Sequence, residues 1–394
     1  MKCKNTIAMV LAGAMLLPSN AFAADLSQYK DFPNDWSAKS LEQAIDNGLL
    51  NGSNGMIDAK GLLTRAQMAA IVSRSFGAAK TASLDDYRDV LPSAWYYSDM
   101  GKAVKMGAFQ GANGLLNPDA PITREEAFTV LARAFALEGG GSATLKDFVD
   151  GGTVSSWASE SVAALVAGGY VNGANGMLNL KNNITRAEFA KVITGMAASY
   201  VGAEGVSGKT VEGNVIVRES GASLSGMTIN GDLILADGAA QADLTNVTVT
   251  GRILIRGGAD GVIFGNTSAG RGIIVHSDVS IAGTADSITV AGAAAVTVQS
   301  GASVGSITVN AENAKITGAG KVGEVRANAD NVNVSTSGTR VSASEDVSGV
   351  QAGSKTVAAG KTETVSQTSG GSSSGGSSGG GSSSGGSSNG GSSN

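Results

Sequence analysis

The sequence holds one cysteine and one histidine, and its scarcities remove several classes of chemistry at the outset. Cys3 is the cysteine, and it lies in the first few residues, so the rest of the chain has neither disulfides nor thiolate chemistry. Proline stops at Pro121, and from Val201 to the end Phe264 is the only aromatic residue. Positive charge is in deficit, with 28 basic against 33 acidic side chains, which makes a poor partner for nucleic acid. Long apolar runs are missing too: Ile7–Leu17 is the longest and is too short for a stable membrane span.

That run has a different reading. Lys2 and Lys4 give it a basic start, and Ala21-Phe22-Ala23 gives it a small-x-small cleavage site, so residues 1–23 are expected to be a secretory signal. Cleavage after Ala23 leaves 33 acidic against 26 basic side chains, a net charge of −7. With no other apolar segment to hold it, the exported chain is expected to stay on a cell through non-covalent contacts.

What the chain does contain is repetition. LTRAQ at 63–67, ITREE at 122–126 and ITRAE at 184–188 are near copies of one phrase. Trp36, Trp95 and Trp157 precede the arginines Arg65, Arg124 and Arg186 by 29 positions each, and a Gly-x-Asn-Gly turn begins 16 positions after each tryptophan. Length varies only between units, as in modules joined by loops. Each unit reads helix, loop, helix: Leu41, Ala44, Ile45 and Leu49 recur at helical spacing with Gly48 at the helix end, and Met68, Ile71, Val72 and Ser75 form a stripe matched by Phe189, Val192, Ile193 and Met196. Units of this size bury little alone and are expected to pack on one another. The boundaries follow as 24–80, 81–140 and 141–202.

Within the phrase, Thr64/Gln67, Thr123/Glu126 and Thr185/Glu188 have the spacing of a capping box that starts a helix. The arginine has no such role. At the first helical position its charge is mildly opposed by the helix dipole, and it adds nothing to the apolar stripe. One such arginine would be a solvated or ion-paired surface residue, but three in one register point to a receptor for a carboxylate or phosphate beside free backbone N–H groups. As surface residues, the arginines are expected to matter little for stability. The tryptophans have two readings, core residue and sugar platform, and are expected to be part core and part groove wall.

The pattern F-x-D…W…G-x-x-G…ITRAE, in triplicate over about residues 31–200, resembles the S-layer homology (SLH) domains of bacterial cell-surface proteins. The resemblance implies an all-α pseudo-trimer whose grooves bind secondary cell-wall polysaccharide, commonly through a pyruvylated sugar. It places glycan binding on Arg65, Arg124, Arg186, Trp36, Trp95 and Trp157, with Thr64, Gln67, Thr123, Glu126, Thr185 and Glu188 in support. It also implies a location at the cell wall or S-layer surface, and is compatible with self-association there. Gln67 departs from the family's acid, and the groove it serves is expected to bind less well.

After Val206 the helical stripes give way to short β-branched runs between small residues: GNVIV, GDLIL, GRILI, GIIV, AVTV, KIT and NVNV in one series, MTI, VTV, VIF and two copies of ITV in another. Leu233, Ile253 and Ile273 stand 20 apart. This texture predicts a right-handed parallel β-helix over 206–345, with a β-sandwich as the competing fold, and a disordered Gly/Ser-rich tail over 346–394. The aspartates Asp232, Asp237, Asp243, Asp260 and Asp278 are scattered through turns, and His276 at a strand end is expected to be exposed. AEGVSGKT at 203–210 loosely resembles a phosphate loop but follows a helix and precedes a strand, so it reads as a linker. The expectation is a non-enzymatic, metal-free and cofactor-free wall anchor with a β-helical structural or adhesive stalk. The alternative is a wall-anchored polysaccharide-degrading enzyme with a catalytic β-helix.

Overall fold

The computed structural model describes residues 25–366, so the expected signal segment and the end of the Gly/Ser tail lie outside the described residues. The helical part has two helices per repeat: α1 (Ala38–Asp46) and α2 (Arg65–Ser75), α3 (Tyr97–Lys105) and α4 (Arg124–Ala134), α5 (Ser159–Ala167) and α6 (Arg186–Met196). The capping boxes are present at the starts of α2, α4 and α6, each with the threonine hydroxyl accepting from the backbone N–H three residues on. The Asn-Gly turns are tight two-residue hairpins with both residues in the left-handed region, Asn54 at φ 53° and Gly55 at φ 72° for the first. Among the described residues no helix is long and apolar enough to cross a membrane.

The phrase residues form a ring. Leu63 N–H donates to Ile184 C=O, Ile184 N–H to Ile122 C=O, and Ile122 N–H to Leu63 C=O, at 3.0, 3.0 and 2.9 Å. Beyond each threonine, whose N–H stays within its own unit, two more N–H groups reach across units, Arg65 and Ala66 to the carbonyls of Ala120 and Pro118, Arg124 and Glu125 to Asn182 and Leu180, Arg186 and Ala187 to Gly61 and Ala59. These are donors that a helix start leaves without partners. They are therefore engaged rather than free for an anion, which corrects the sequence expectation. Each unit's first helix packs on the second helix of its neighbour, α3 on α2, α5 on α4 and α1 on α6. The three repeats thus share one core, in which Leu63, Ile122 and Ile184 are fully buried.

The second half is a parallel β-solenoid of about nine turns. Leu233 pairs with Ile253 and Ile253 with Ile273, in the register the 20-residue spacing predicts. The two sequence series do not map onto two sheets. Early turns have three faces, with MTI and VTV on a short four-stranded sheet, while AVTV, KIT and NVNV stack on a different sheet from GDLIL. From Val279–Val290 onward the third face disappears and one long strand pairs with both remaining stacks. Pairing runs from Ser199 to Thr364, beyond the expected 206–345. Gln351–Ala352 and Thr362–Thr364, expected within the tail, are strands, and the chain reverses here to make antiparallel pairs that cover the end of the stack. An uncovered last coil would present open backbone donors and acceptors, which is the physical reason for the return.

The strands Val215–Val217, Leu233–Leu235 and Ile253–Ile255 are buried on both faces. Their outer residues Ile216, Ile234 and Leu254 belong to the core of the helical part, whereas Leu233, Leu235, Ile253 and Ile255 fill the solenoid. Along that outer row the partners are Tyr200, Ile216, Ile234, Leu254 and Ile274, then Thr289, Thr308, Arg326 and Ser342. The row turns polar where the helical part ends. Uninterrupted apolar triplets mark strands covered on both sides.

The solenoid also supplies donors to the helix C-termini. Arg218 donates to Asn47 C=O, Gly238 N–H to Phe76 C=O, Arg256 to Met106 C=O, Arg252 to the carbonyls of Phe135 and Ala136, and Asn214 Nδ2 to Met196 C=O. Last-turn carbonyls lack intrahelical partners and carry the negative end of the dipole, so arginines here are favourable. Arg252 is held against Asp232 at 2.7 Å and Arg256 against Asp237 at 2.9 Å, with both arginines almost wholly buried. His276 sits beside them. It is half-buried rather than exposed, and its Nε2 is enclosed with no hydrogen-bond partner among the described residues. Burial, with Arg256 and Arg252 nearby, lowers its pKa from 6.5 to about 4.

Two outcomes follow for this junction. Arg252→Ala strands Asp232 in the interface and should cost roughly 3–5 kcal/mol in urea unfolding of the full chain. His276 is neutral in the folded state at pH values where the unfolded chain already takes up a proton. Its contribution to stability is therefore intact above about pH 6.5 and declines as pH falls to about 4, by on the order of 3 kcal/mol. Unfolding curves of His276→Gln across that window should show a smaller loss than the parent.

Candidate glycan-binding grooves

Each repeat's turn is clasped from two sides. Asp31 accepts from the N–H groups of Ile57 and Asp58, Asp89 from Leu116 and Asn117, and Asp150 from Leu178 and Asn179. The carbonyl on the same turn is taken by the phrase arginine of another unit: Arg186 Nε to Ile57, Arg65 Nε to Leu116, Arg124 Nε to Leu178, at 2.7–2.9 Å. Arg65 and Arg186 extend a second nitrogen to Gln110 C=O and Asn51 C=O. These aspartates shape the turns, and the sequence carried them only as part of a pattern, since nothing local shows which backbone they hold.

The third contact separates the arginines. Arg65 Nη1 pairs with Glu126 at 3.0 Å and Arg124 Nη1 with Glu188 at 3.1 Å. Each glutamate uses its other oxygen to cap its own helix, accepting from Thr123 N–H or Thr185 N–H. Capping therefore accounts for only half of the acid's work. Arg186 faces the position of Gln67, whose oxygen accepts from Thr64 N–H, and no carboxylate stands within ion-pairing distance of Arg186 among the described residues. Burial lowers the pKa of all three guanidiniums. Glu126 and Glu188 oppose that shift for Arg65 and Arg124, and Asp58 and Asp31 do so at longer range for Arg186.

The arginines are not the surface residues the sequence suggested. Arg65 and Arg124 side chains are only 11% and 14% exposed, and they lie over the rings of Phe109 and Phe128. The tryptophans depart from a core reading in the opposite direction, with Trp36 58%, Trp95 63% and Trp157 54% exposed. Exposed indoles are flat apolar faces of the kind a sugar ring stacks on. Lys191 lies over Trp36 at 5.3 Å, and Trp95 packs edge-on to Tyr96.

A groove of about 730 Å³ is walled by all three units. Repeat one gives the turn Asn51–Asp58, Gln67, Ile71 and Arg74, repeat two gives Trp95, and repeat three gives Arg186. The structure thus brings Arg186, Gln67 and Trp95 together, with Arg74 an addition that sequence reasoning missed. Arg74 lies in the last turn of α2, far along the helix from the phrase.

The model of the S-layer homology domain matches residues 28–69, 86–128 and 147–190. The chain is 32% identical over 180 residues to the Surface-layer 125 kDa protein of Lysinibacillus sphaericus, a span of 44% of this chain and 15% of that one. It is 28% identical to the Amylopullulanase of Thermoanaerobacterium thermosulfurigenes and 26% identical to the Exoglucanase XynX of Acetivibrio thermocellus, over 43% of this chain in each case and 9% and 16% of theirs. The matched regions are thus a small part of each relative's length.

Because the arginines clasp neighbouring units, their removal should be felt in stability. Arg124→Ala leaves Leu178 C=O and Glu188 Oε1 without the donor they share and should cost roughly 1–3 kcal/mol in thermal or urea unfolding. Thr123→Ala, which removes only the cap, should cost about 1 kcal/mol.

Proposed function

We propose that this chain, which carries three S-layer homology domains ahead of a β-solenoid, anchors itself non-covalently to cell-wall polysaccharide and projects the solenoid from the wall. The observation that carries this reading is the groove in which Arg186, Arg74 and the exposed Trp95 converge from three repeats. A guanidinium binds a carboxylate through paired hydrogen bonds, and an indole face stacks on a sugar ring. The closed hydrogen-bonded ring of phrase residues supports reading the three repeats as a pseudo-threefold unit. The solenoid is read as right-handed, the hand that connections between parallel strands take. A pyruvylated sugar is the glycan group this reading favours, and the protein's place is the outer surface of a cell wall.

The solenoid is proposed to be structural rather than catalytic. Asp232 and Asp237 neutralise the junction arginines, Asp243 bonds to Thr245, and Asp278 accepts from Ala295 N–H. Carboxylates with such work are poorly placed to act as acid, base or cation ligand. The two glycosidase relatives resemble this chain across less than half of it.

The purified chain should sediment with isolated wall and stay in the supernatant once the wall polysaccharide has been stripped. Incubation with acidic glycans, with and without calcium, should release no unsaturated or reducing sugars above a heat-treated control. Sedimentation indifferent to stripping would end the anchoring reading, and sugar release would favour a catalytic solenoid.

A further inference from the structure

We infer that the cavity between the end of α3 and the solenoid is a receptor for a phosphate group, held between the two parts of the chain. The cavity measures about 320 Å³, the size of a small-molecule site. Lys80 and Lys105 line it from the helical part, and Arg256, Gly258, His276 and Ser277 line it from the solenoid. None of these residues belongs to the glycan grooves, so the site stands apart from the anchoring reading. Its walls carry donors in excess. Arg256 gives Nε to Asp237 at 2.9 Å and Nη2 to Met106 C=O at 2.6 Å, which leaves Nη1 without a partner among the described residues. Lys80 and Lys105 likewise form no ion pair or hydrogen bond among the described residues. Gly258 is buried with φ 96°, and among the described residues no carbonyl takes its N–H. A buried backbone donor in that position calls for a partner from outside the chain.

The acceptors on the wall are already engaged. Asp237 and Met106 C=O hold Arg256, and Asp278, which is exposed, accepts from Ala295 N–H. Because Arg256 covers the carbonyl at the end of α3, the negative pole of that helix is neutralised where it meets the cavity. The donors stand on two walls, the lysines on one and Arg256, Gly258 and Ser277 on the other. A tetrahedral oxyanion presents acceptors in several directions and can meet both walls, whereas a carboxylate presents two oxygens in one plane. Lysine point charges and glycine-turn N–H groups are phosphate partners elsewhere in proteins. His276 lines the same cavity, with Nε2 enclosed and unpartnered among the described residues. Burial, then Arg256 and Arg252, bring its pKa down to about 4. A phosphate beside these arginines offsets their charge and raises that value. As the chain's one histidine, it reports on the site without ambiguity.

The test follows the His276 imidazole by NMR in the full chain, titrated at fixed ionic strength with inorganic phosphate, methyl phosphate, acetate or chloride. Phosphate should shift the resonance saturably, move the imidazole midpoint upward and raise the melting temperature. Acetate and chloride should do none of these. Lys80→Ala combined with Lys105→Ala removes two exposed side chains, which spares the fold, and should weaken phosphate binding at least roughly tenfold. Methyl phosphate binding as tightly as inorganic phosphate assigns the site to an esterified phosphate, and its exclusion assigns the site to the free ion. An equal response to acetate or chloride would overturn the choice of a tetrahedral oxyanion. A His276 resonance that phosphate leaves unmoved, or undiminished binding by the double lysine variant, would overturn the site itself.

Discussion

The helical part depends on an arginine that clasps a neighbour's turn. Arg65, Arg124 and Arg186 each leave one repeat and bond to the carbonyl of a turn in another, and the aspartate of that other repeat holds the N–H groups of the same turn. Because every repeat both gives and receives this contact, the three close on themselves without an open end. The backbone ring through Leu63, Ile122 and Ile184 lies beside it and uses the donors that helix starts leave over. A single repeat has too little apolar surface to stand alone. The ring is what lets three of them share one core.

The helices also give the unit a direction. The N-terminal ends of α2, α4 and α6 hold the arginines, whereas their C-terminal ends meet the solenoid. Carbonyls at those ends find the Gly238 amide, Arg252 and Asn214, and Arg218 and Arg256 do the same for the ends of α1 and α3. Ile216, Ile234 and Leu254 complete the helical core from the solenoid side. The junction is thus a buried apolar face ringed by neutralised charges rather than a flexible linker.

Reuse of the phrase glutamate connects helix initiation with the contact between repeats. One carboxylate caps its own helix and neutralises a neighbour's arginine, so both tasks are met by one residue in two repeats. Gln67 keeps the cap and gives up the charge. A change that is conservative for helix initiation is therefore not conservative for the arginine opposite.

Much of this was legible in the chain itself. The capping boxes, the Asn-Gly hairpins and the helical stripes depend on neighbours within a few residues, and the 20-residue spacing of Leu233, Ile253 and Ile273 reports contact between adjacent coils. Local geometry and short periods are written along the sequence, so residue order alone determined these elements. The triple phrase likewise pointed to Arg186 and Trp95 as candidate site residues. Tertiary structure alone decided what the arginines touch, since their partners lie 45 to 135 positions away in other repeats. It also decided that the tryptophans face outward, that the apolar triplets of the early coils cover the helical part, and that residues 351–364 fold back over the last coil. Burial and pairing across such distances are properties of the packed chain, because a side chain's surroundings are set by elements whose sequence position carries no trace of their meeting.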